Sequence, residues 1–473
     1  MNRHLASLPP RVRAVVDHLD ADRPKALRRF YDLLRIPTVS ADPDRAGDML
    51  HGARWVADAL RQAGLEAKVH PTQGHPIVMG TTPAQSLLEG AADGTHVIFY
   101  GNYDVLRADP GEQWRTPPFE PTTRDGAIFA RGASDDKGQV CCFLEAMRAW
   151  HVVHGGLPVR ITVIIEGEEE TSSDTLPRFL QEHRDQLHGD IVLISDTNMW
   201  DDSTVAITYG LWGIVFFDIK LHNSSRDLHS GMYGGVLANP LNELASVLGR
   251  LFDEQQRVTI PGFYDDVLDV TDEERARWRE LGFDEARDCL GPVGVNTPFG
   301  EAGYTTLERK WARPACDING LYGGYGGPGT KTVIPTTAGA KISFRLAPCQ
   351  DPKKIIAAFR RWLTAQDVHG CRWEITEHGH ADPVIVPTDS PHMQAVQAAV
   401  VSATGKPAVL VREGASIPIV AEFKRALGLD SILLGFARSD DAVHSPNEKF
   451  NLASFELGSQ THAVLLDSFS QMQ

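Results

Sequence analysis

Carboxylates and one imidazole recur along this chain at the ends of apolar runs, the residue types and placement that a divalent-cation site requires. The run His96-Val97-Ile98-Phe99-Tyr100-Gly101 delivers Asn102 and Asp104. Further along come Arg131-Gly132-Ala133-Ser134-Asp135-Asp136-Lys137-Gly138, then Glu166-Gly167-Glu168-Glu169-Glu170, Ser195-Asp196 and His444-Ser445-Pro446-Asn447-Glu448-Lys449. Adjacent glutamates at a strand end cannot point the same way, so one can bind metal while its neighbour moves a proton. Each signal taken alone has an ordinary reading. Asp135 can cap a helix, Glu168–Glu170 can be a solvated charge run, Asp196 a strand-end cap and His444 an incidental polar residue. Their joint order argues for a site. Asn102 is the discordant member, because an amide oxygen is a weaker donor than imidazole and shorter in reach.

The elements that must carry these residues alternate between strand and helix. Strand-like runs at 96–100, 159–165 and 190–194 are nearly continuous in Val, Ile and Phe. The segments 50–63 and 138–151 show helical spacing, the first closed by Gly64. Continuous apolar strands separated by helices predict an α/β fold, a mostly parallel sheet with helices on both faces. Its site residues then lie past the strands' carboxyl ends, where open α/β sheets place ligands. From about 214 the pattern becomes alternating. Val215, Phe217, Ile219 and Leu221 face one way, as do Ile342, Phe344 and Leu346, with Lys341, Ser343 and Arg345 outward. Helices opening at Asn239-Pro240 and Asp351-Pro352 accompany these strands, the first burying Leu241, Leu244, Leu248 and Leu251. The α/β pattern then resumes, with helices after Ser390-Pro391 and after Ser416 and a strand from Ser431 to Phe436. Residues 1–209 and 383–473 therefore read as one catalytic domain, interrupted by an inserted α+β lid or dimerisation domain at 210–382.

Composition narrows the function. A chain of 473 residues holds two or three domains. Acids exceed bases by 62 to 46, a net charge of −16, which disfavours nucleic acid as partner. No apolar run is long enough for a membrane span, and Met1-Asn2-Arg3-His4 leads into a charged stretch without an apolar signal core. The cysteines at 141, 142, 289, 316, 349 and 371 form no paired motif, the pattern of reduced thiols in a cytoplasmic protein.

The ordered motifs quoted above resemble the M20 family of metallopeptidases, in its carnosinase-like dipeptidase branch. The resemblance implies two Zn²⁺, with Mn²⁺ or Co²⁺ as replacements, bridged by Asp135. Glu170 and His444 would complete one metal, Asp196 and position 102 the other. Glu169 would be the general base, and Asp104 would orient the ring that the family carries at position 102, where this chain has Asn. Asp227-Leu228-His229-Ser230-Gly231 resembles the element that reaches a partner subunit's site, with His229 on the oxyanion, so a homodimer is implied. Thr332, Arg345, His378 and Ser416 match the dipeptidase branch's substrate-carboxylate pocket. Arg345 suits bidentate capture of a free carboxylate. Trp212 stands where the family usually has Arg.

The implied activity is metal-dependent hydrolysis of a dipeptide or N-acyl amino acid amide bond. Two alternatives stand beside it, an N-acyl amino acid deacylase or desuccinylase and an inactive small-molecule-binding homodimer. Asn102 itself has three readings: an inactivating replacement of His, a natural variant with a changed metal site, and a chain that has lost catalysis.

Overall fold

The computed structural model describes residues 5–91, 94–414 and 417–472. Ser416, expected in the carboxylate pocket, lies outside them. The chain forms two compact units, one of Met1–Tyr209, Val386–Val411 and Glu422–Gln473, the other of Gly210–Ile385 and Arg412–Ala421.

In the first unit the strands Arg160–Glu166, His96–Asn102, Ile191–Ile194 and Ser431–Leu434 pair in parallel in that order. Ile77–Thr81 joins one side antiparallel and Ala206–Leu211 the other. The mostly parallel sheet expected from the apolar runs is present. It is apolar because both faces are covered: Val97, Ile98, Phe99, Val163, Ile164, Ile165, Val192 and Leu193 are all buried. The helix Lys137–His154 runs longer than its 138–151 pattern and stops where Gly155 takes φ 77°. It stacks Phe143 on Phe99 at 3.8 Å between centroids. Trp150 donates Nε1 to Ala463 O at 3.0 Å, tying it to the helix Leu452–Ser470.

The His96 strand continues to Asn102, beyond its apolar run, because Asn102 still pairs in register with Glu166. Gly101 permits this. A Cβ there would stand 2.5 Å from Val140 Cγ2 and 2.9 Å from Asp136 Oδ2. The helix start therefore lies directly against the strand end.

The second unit is a four-stranded antiparallel sheet in the order Ala315–Gly323, Thr337–Leu346, Gly213–His222, Arg372–Ala381. Val215, Phe217, Ile219, Leu221, Ile342, Phe344 and Leu346 face one core with Leu244, Leu248, Ile355, Phe359 and Leu363. Asn239 and Asp351 cap their helices, Pro240–Leu248 and Pro352–Thr364, by accepting from Leu241 and Lys353 N–H. Leu251 is buried after the first of these has ended. Ser343 was expected outward with Lys341 and is instead 5% exposed. Its strand has a neighbour on both sides, and a serine is too short to reach past the flanking strands as the exposed Lys341 does.

Candidate metal centre

The site-bearing segments of the first unit converge beyond the carboxyl end of the parallel strands. Oxygen or nitrogen atoms of Asp135, Glu170 and His444 lie within 4.8 Å of one another. His444 Nε2 is 2.8 Å from Asp135 Oδ2 and 3.3 Å from Glu170 Oε2. These two carboxylates raise the His444 pKa to about 10. Burial in turn pushes Glu170 up to about 7, with the Asp135 and Asp104 charges adding to the rise and His444 opposing it. Asp196 falls outside this close group. Its carboxyl is raised well above the ordinary range by lost solvation and by the charges of Asp135 and Glu170. Glu169 is raised for the same reasons, with Asp196 and Asp135 as the charges acting on it. Carboxylates packed so closely cannot all ionise cheaply without cations among them.

Asp104 organises the turn that carries the glutamates. It is fully buried, and its two oxygens accept from the backbone N–H of Glu169 at 3.3 Å and of Glu170 at 3.1 Å. Burial lifts its pKa to about 6 despite these bonds. Asn102 donates Nδ2 to Asp104 Oδ1 at 3.3 Å and to Asp104 O at 3.4 Å. Its Oδ1 is buried and accepts from no group among the described residues. An orphaned acceptor costs about 1–3 kcal/mol, so this oxygen calls for a cation or a donor. Asp104 thus takes the amide nitrogen and leaves the oxygen without a partner among the described residues.

Residues that the sequence left without a role complete the surroundings. Asp136 is fully buried and accepts from Asn102 N at 3.4 Å, with its Oδ1 unpaired. Lys137, also fully buried, donates Nζ to Leu33 O at 3.2 Å and to Ile36 O at 2.8 Å, closing the end of the helix Pro10–Leu34. Burial lowers its pKa to about 7. Their signal in the sequence was only adjacency to Asp135. The residue types present fit divalent cations: the carboxylates of Asp135, Glu170 and Asp196, the imidazole of His444 and the Asn102 amide oxygen, which has no partner among the described residues.

The remaining expected residues lie in the second unit. His229 pairs in register with Val333, next to Thr332, and Ser230 N donates to Thr332 O at 3.1 Å, so these two are neighbours. His229 is exposed and accepts at Nδ1 from Gly231 N at 3.0 Å. Arg345 and His378 lie on the two strands flanking Gly213–His222. Arg345 sits opposite Ile214, and His378 at a bulge opposite Phe216–Phe217. His378 is exposed; Arg345 is half-buried, and lost solvation lowers its pKa.

Comparison with known proteins agrees with this chemistry. The family description Peptidase family M20/M25/M40 matches residues 98–468. The human Beta-Ala-His dipeptidase is 32% identical over 82% of this chain and 78% of its own. The Cys-Gly metallodipeptidase of Saccharomyces cerevisiae is 29% identical over 97% of this chain and 98% of its own. The crystal structure of human carnosine dipeptidase 1 superposes with a TM-score of 0.81 at 27% identity, over 98% of this chain and all of that one. A match spanning every segment of the centre leaves one conclusion: the chain belongs to the M20/M25/M40 family of metallopeptidases.

Proposed function

We propose that this chain performs the metal-dependent dipeptide hydrolysis of its family with Asp135 shared between two cations. Glu170 and His444 would complete one position, and Asp196 and Asn102 the other. The observation that carries this reading is the convergence of Asp135, Glu170 and His444 within 4.8 Å, beside further buried carboxylates. When bound, the cations supply Lewis acidity at the scissile carbonyl and at the attacking water. Carboxylate and imidazole donors suit zinc, with Mn²⁺ or Co²⁺ as replacements. Glu169, its carboxyl held high by burial and by its acidic neighbours, takes the proton from water and returns it to the leaving amine. Asp104 fixes the Glu169–Glu170 turn and the Asn102 amide together. The position that Asn102 would serve would be the weaker of the two, because an amide oxygen is a poorer donor than an imidazole nitrogen.

Arg345, with Thr332, His378 and Ser416, takes the free carboxylate of the substrate, so that binding energy is used to place the amide carbonyl. His229 serves the oxyanion in the partner subunit of a homodimer. Six cysteines without a disulfide among the described residues support a cytoplasmic setting.

Turnover of a matched dipeptide and its C-terminal amide by the Asn102→His protein, loaded with Zn²⁺, tests the substrate reading. The amide should be poorer in kcat/KM by about 1.5–3 kcal/mol, the worth of a hydrogen bond to a charged group. Equal values for the pair remove Arg345 from the carboxylate role. Faster turnover of N-acyl amino acids than of dipeptides moves the chain to the deacylases. Turnover of neither leaves a binding protein.

A further inference from the structure

The backbone between Arg131 and Asp136 does not follow a regular element. Its N–H groups at Gly132, Ser134 and Asp135 turn inward toward one point, and one side chain occupies it. Glu448 Oε2 accepts from Gly132 N at 2.9 Å and from Arg131 Nη1 at 2.7 Å. Glu448 Oε1 accepts from Ser134 N at 2.9 Å and from Asp135 N at 3.1 Å. Its own carbonyl accepts from Ala130 N at 3.1 Å. Glu448 and Arg131 are 0% and 1% exposed, so the pair is desolvated. Asp441 adds a second tie, accepting from Ser134 Oγ at 3.1 Å and from Arg438 N at 2.8 Å.

An ion pair buried this deeply is a poor source of stability compared with apolar packing. All four partners of the Glu448 carboxylate are donors, and three of them are the amides of the loop that ends in Asp135. The same residue is four positions beyond His444. One carboxylate therefore couples the two chain segments that bring Asp135 and His444 together.

We propose that Glu448 is a positioning residue for the metal centre, holding the Asp135 backbone, and through it the Asp135 carboxylate, at the place the cations need. This rests on the reading of Asp135 as a ligand. Glutamine at 448 keeps the volume but puts an NH₂ where one oxygen stood, so two of the four N–H groups keep an acceptor and the other two face a donor.

The test uses the full chain, with Zn²⁺ affinity measured by competition against a chromophoric chelator and melting followed with and without Zn²⁺. In Glu448→Gln the affinity should fall about 10–100-fold, the loss usual when a group supporting a metal ligand is removed. The stabilisation conferred by Zn²⁺ should shrink with it, and kcat should drop with KM nearly unchanged. Glu448→Asp, which keeps the charge and four acceptor sites one methylene back, should lie between the two and serves where the Gln variant does not fold. If both variants that fold bind Zn²⁺ as the parent does, and melt lower by the same amount with and without it, the role is structural and the proposal fails. Asp135→Ala separates the two levels. Unchanged Zn²⁺ affinity there refutes the ligand reading, whereas lost affinity there beside parental affinity in Glu448→Gln refutes only the positioning role.

Discussion

Removing the Asn102 side chain should be nearly neutral in the metal-free protein and costly to metal binding. In the metal-free protein Asn102→Ala deletes an oxygen that is buried and unpartnered, an arrangement that costs about 1–3 kcal/mol. It also deletes two contacts from Nδ2 to Asp104 at 3.3 and 3.4 Å, both at the long edge of hydrogen bonding. Asp104 keeps the amides of Glu169 and Glu170, so it is not left unpaired. Gain and loss nearly cancel, and the metal-free stability should stay within about 1 kcal/mol of the parent, given the small cavity left behind. If Asn102 is a ligand, as proposed, the same oxygen gains its partner when metal binds and the truncation removes it. If the orphan's 1–3 kcal/mol is what cation binding recovers, affinity at one position falls by about 5- to 150-fold. Chelator competition resolves the two positions, and denaturant unfolding in excess chelator reports the metal-free term. Asn102→His should move affinity in the other direction, raising the metal content retained after dialysis. Two cations per chain held equally tightly by the parent, Asn102→Ala and Asn102→His would refute the argument.

Two further outcomes follow from the same geometry. Mixing His229→Ala with Glu169→Ala chains, both on the Asn102→His background, should restore activity in heterodimers; a fully active monomer by light scattering contradicts the shared site. His462 is fully buried, with its ring edge-on to Phe99, Phe143 and Phe436, and burial pushes its pKa down to about 3 from 6.5. The unfolded chain takes up a proton below about pH 6.5 that the native protein refuses until about pH 3. Its contribution is therefore present above that window and lost at about 1.4 kcal/mol per unit as pH falls through it. His462→Phe should flatten the acid limb of a stability–pH curve between about 6 and 4, and an unchanged slope there would exclude His462 as a cause.

The fold was legible wherever burial imposes a period. The Phe99, Val163 and Val192 runs are apolar because helices cover both faces of the parallel sheet, and Val215 to Leu221 alternates because one face meets a core. Asn239-Pro240 and Asp351-Pro352 announced helix starts because capping is a local bond within a few residues. Ser343 broke the alternation since exposure depends on neighbouring strands, and strand order is not written in any one strand. The edge strand Ala315–Gly323 carries an exposed run with no clear period and gave no signal of its own.

The centre divides along the same line. Residue type and order marked the segments, the family resemblance picked out Asp135, Glu170 and His444, and the chain does bring these three together. What the order could not convey is how the backbone between them is held, because that depends on donors converging from distant segments. Glu448 stood in plain view beside His444, yet its partners are more than 300 residues upstream. Asp104 shows the same limit from the other side. Its expected task was to orient a ring at position 102, but its oxygens also carry the Glu169 and Glu170 amides, a task that needs no ring there. The glutamate turn is anchored to Asp104 and the Asp135 loop to Glu448, and neither anchor passes through residue 102, so both hold with Asn at that position.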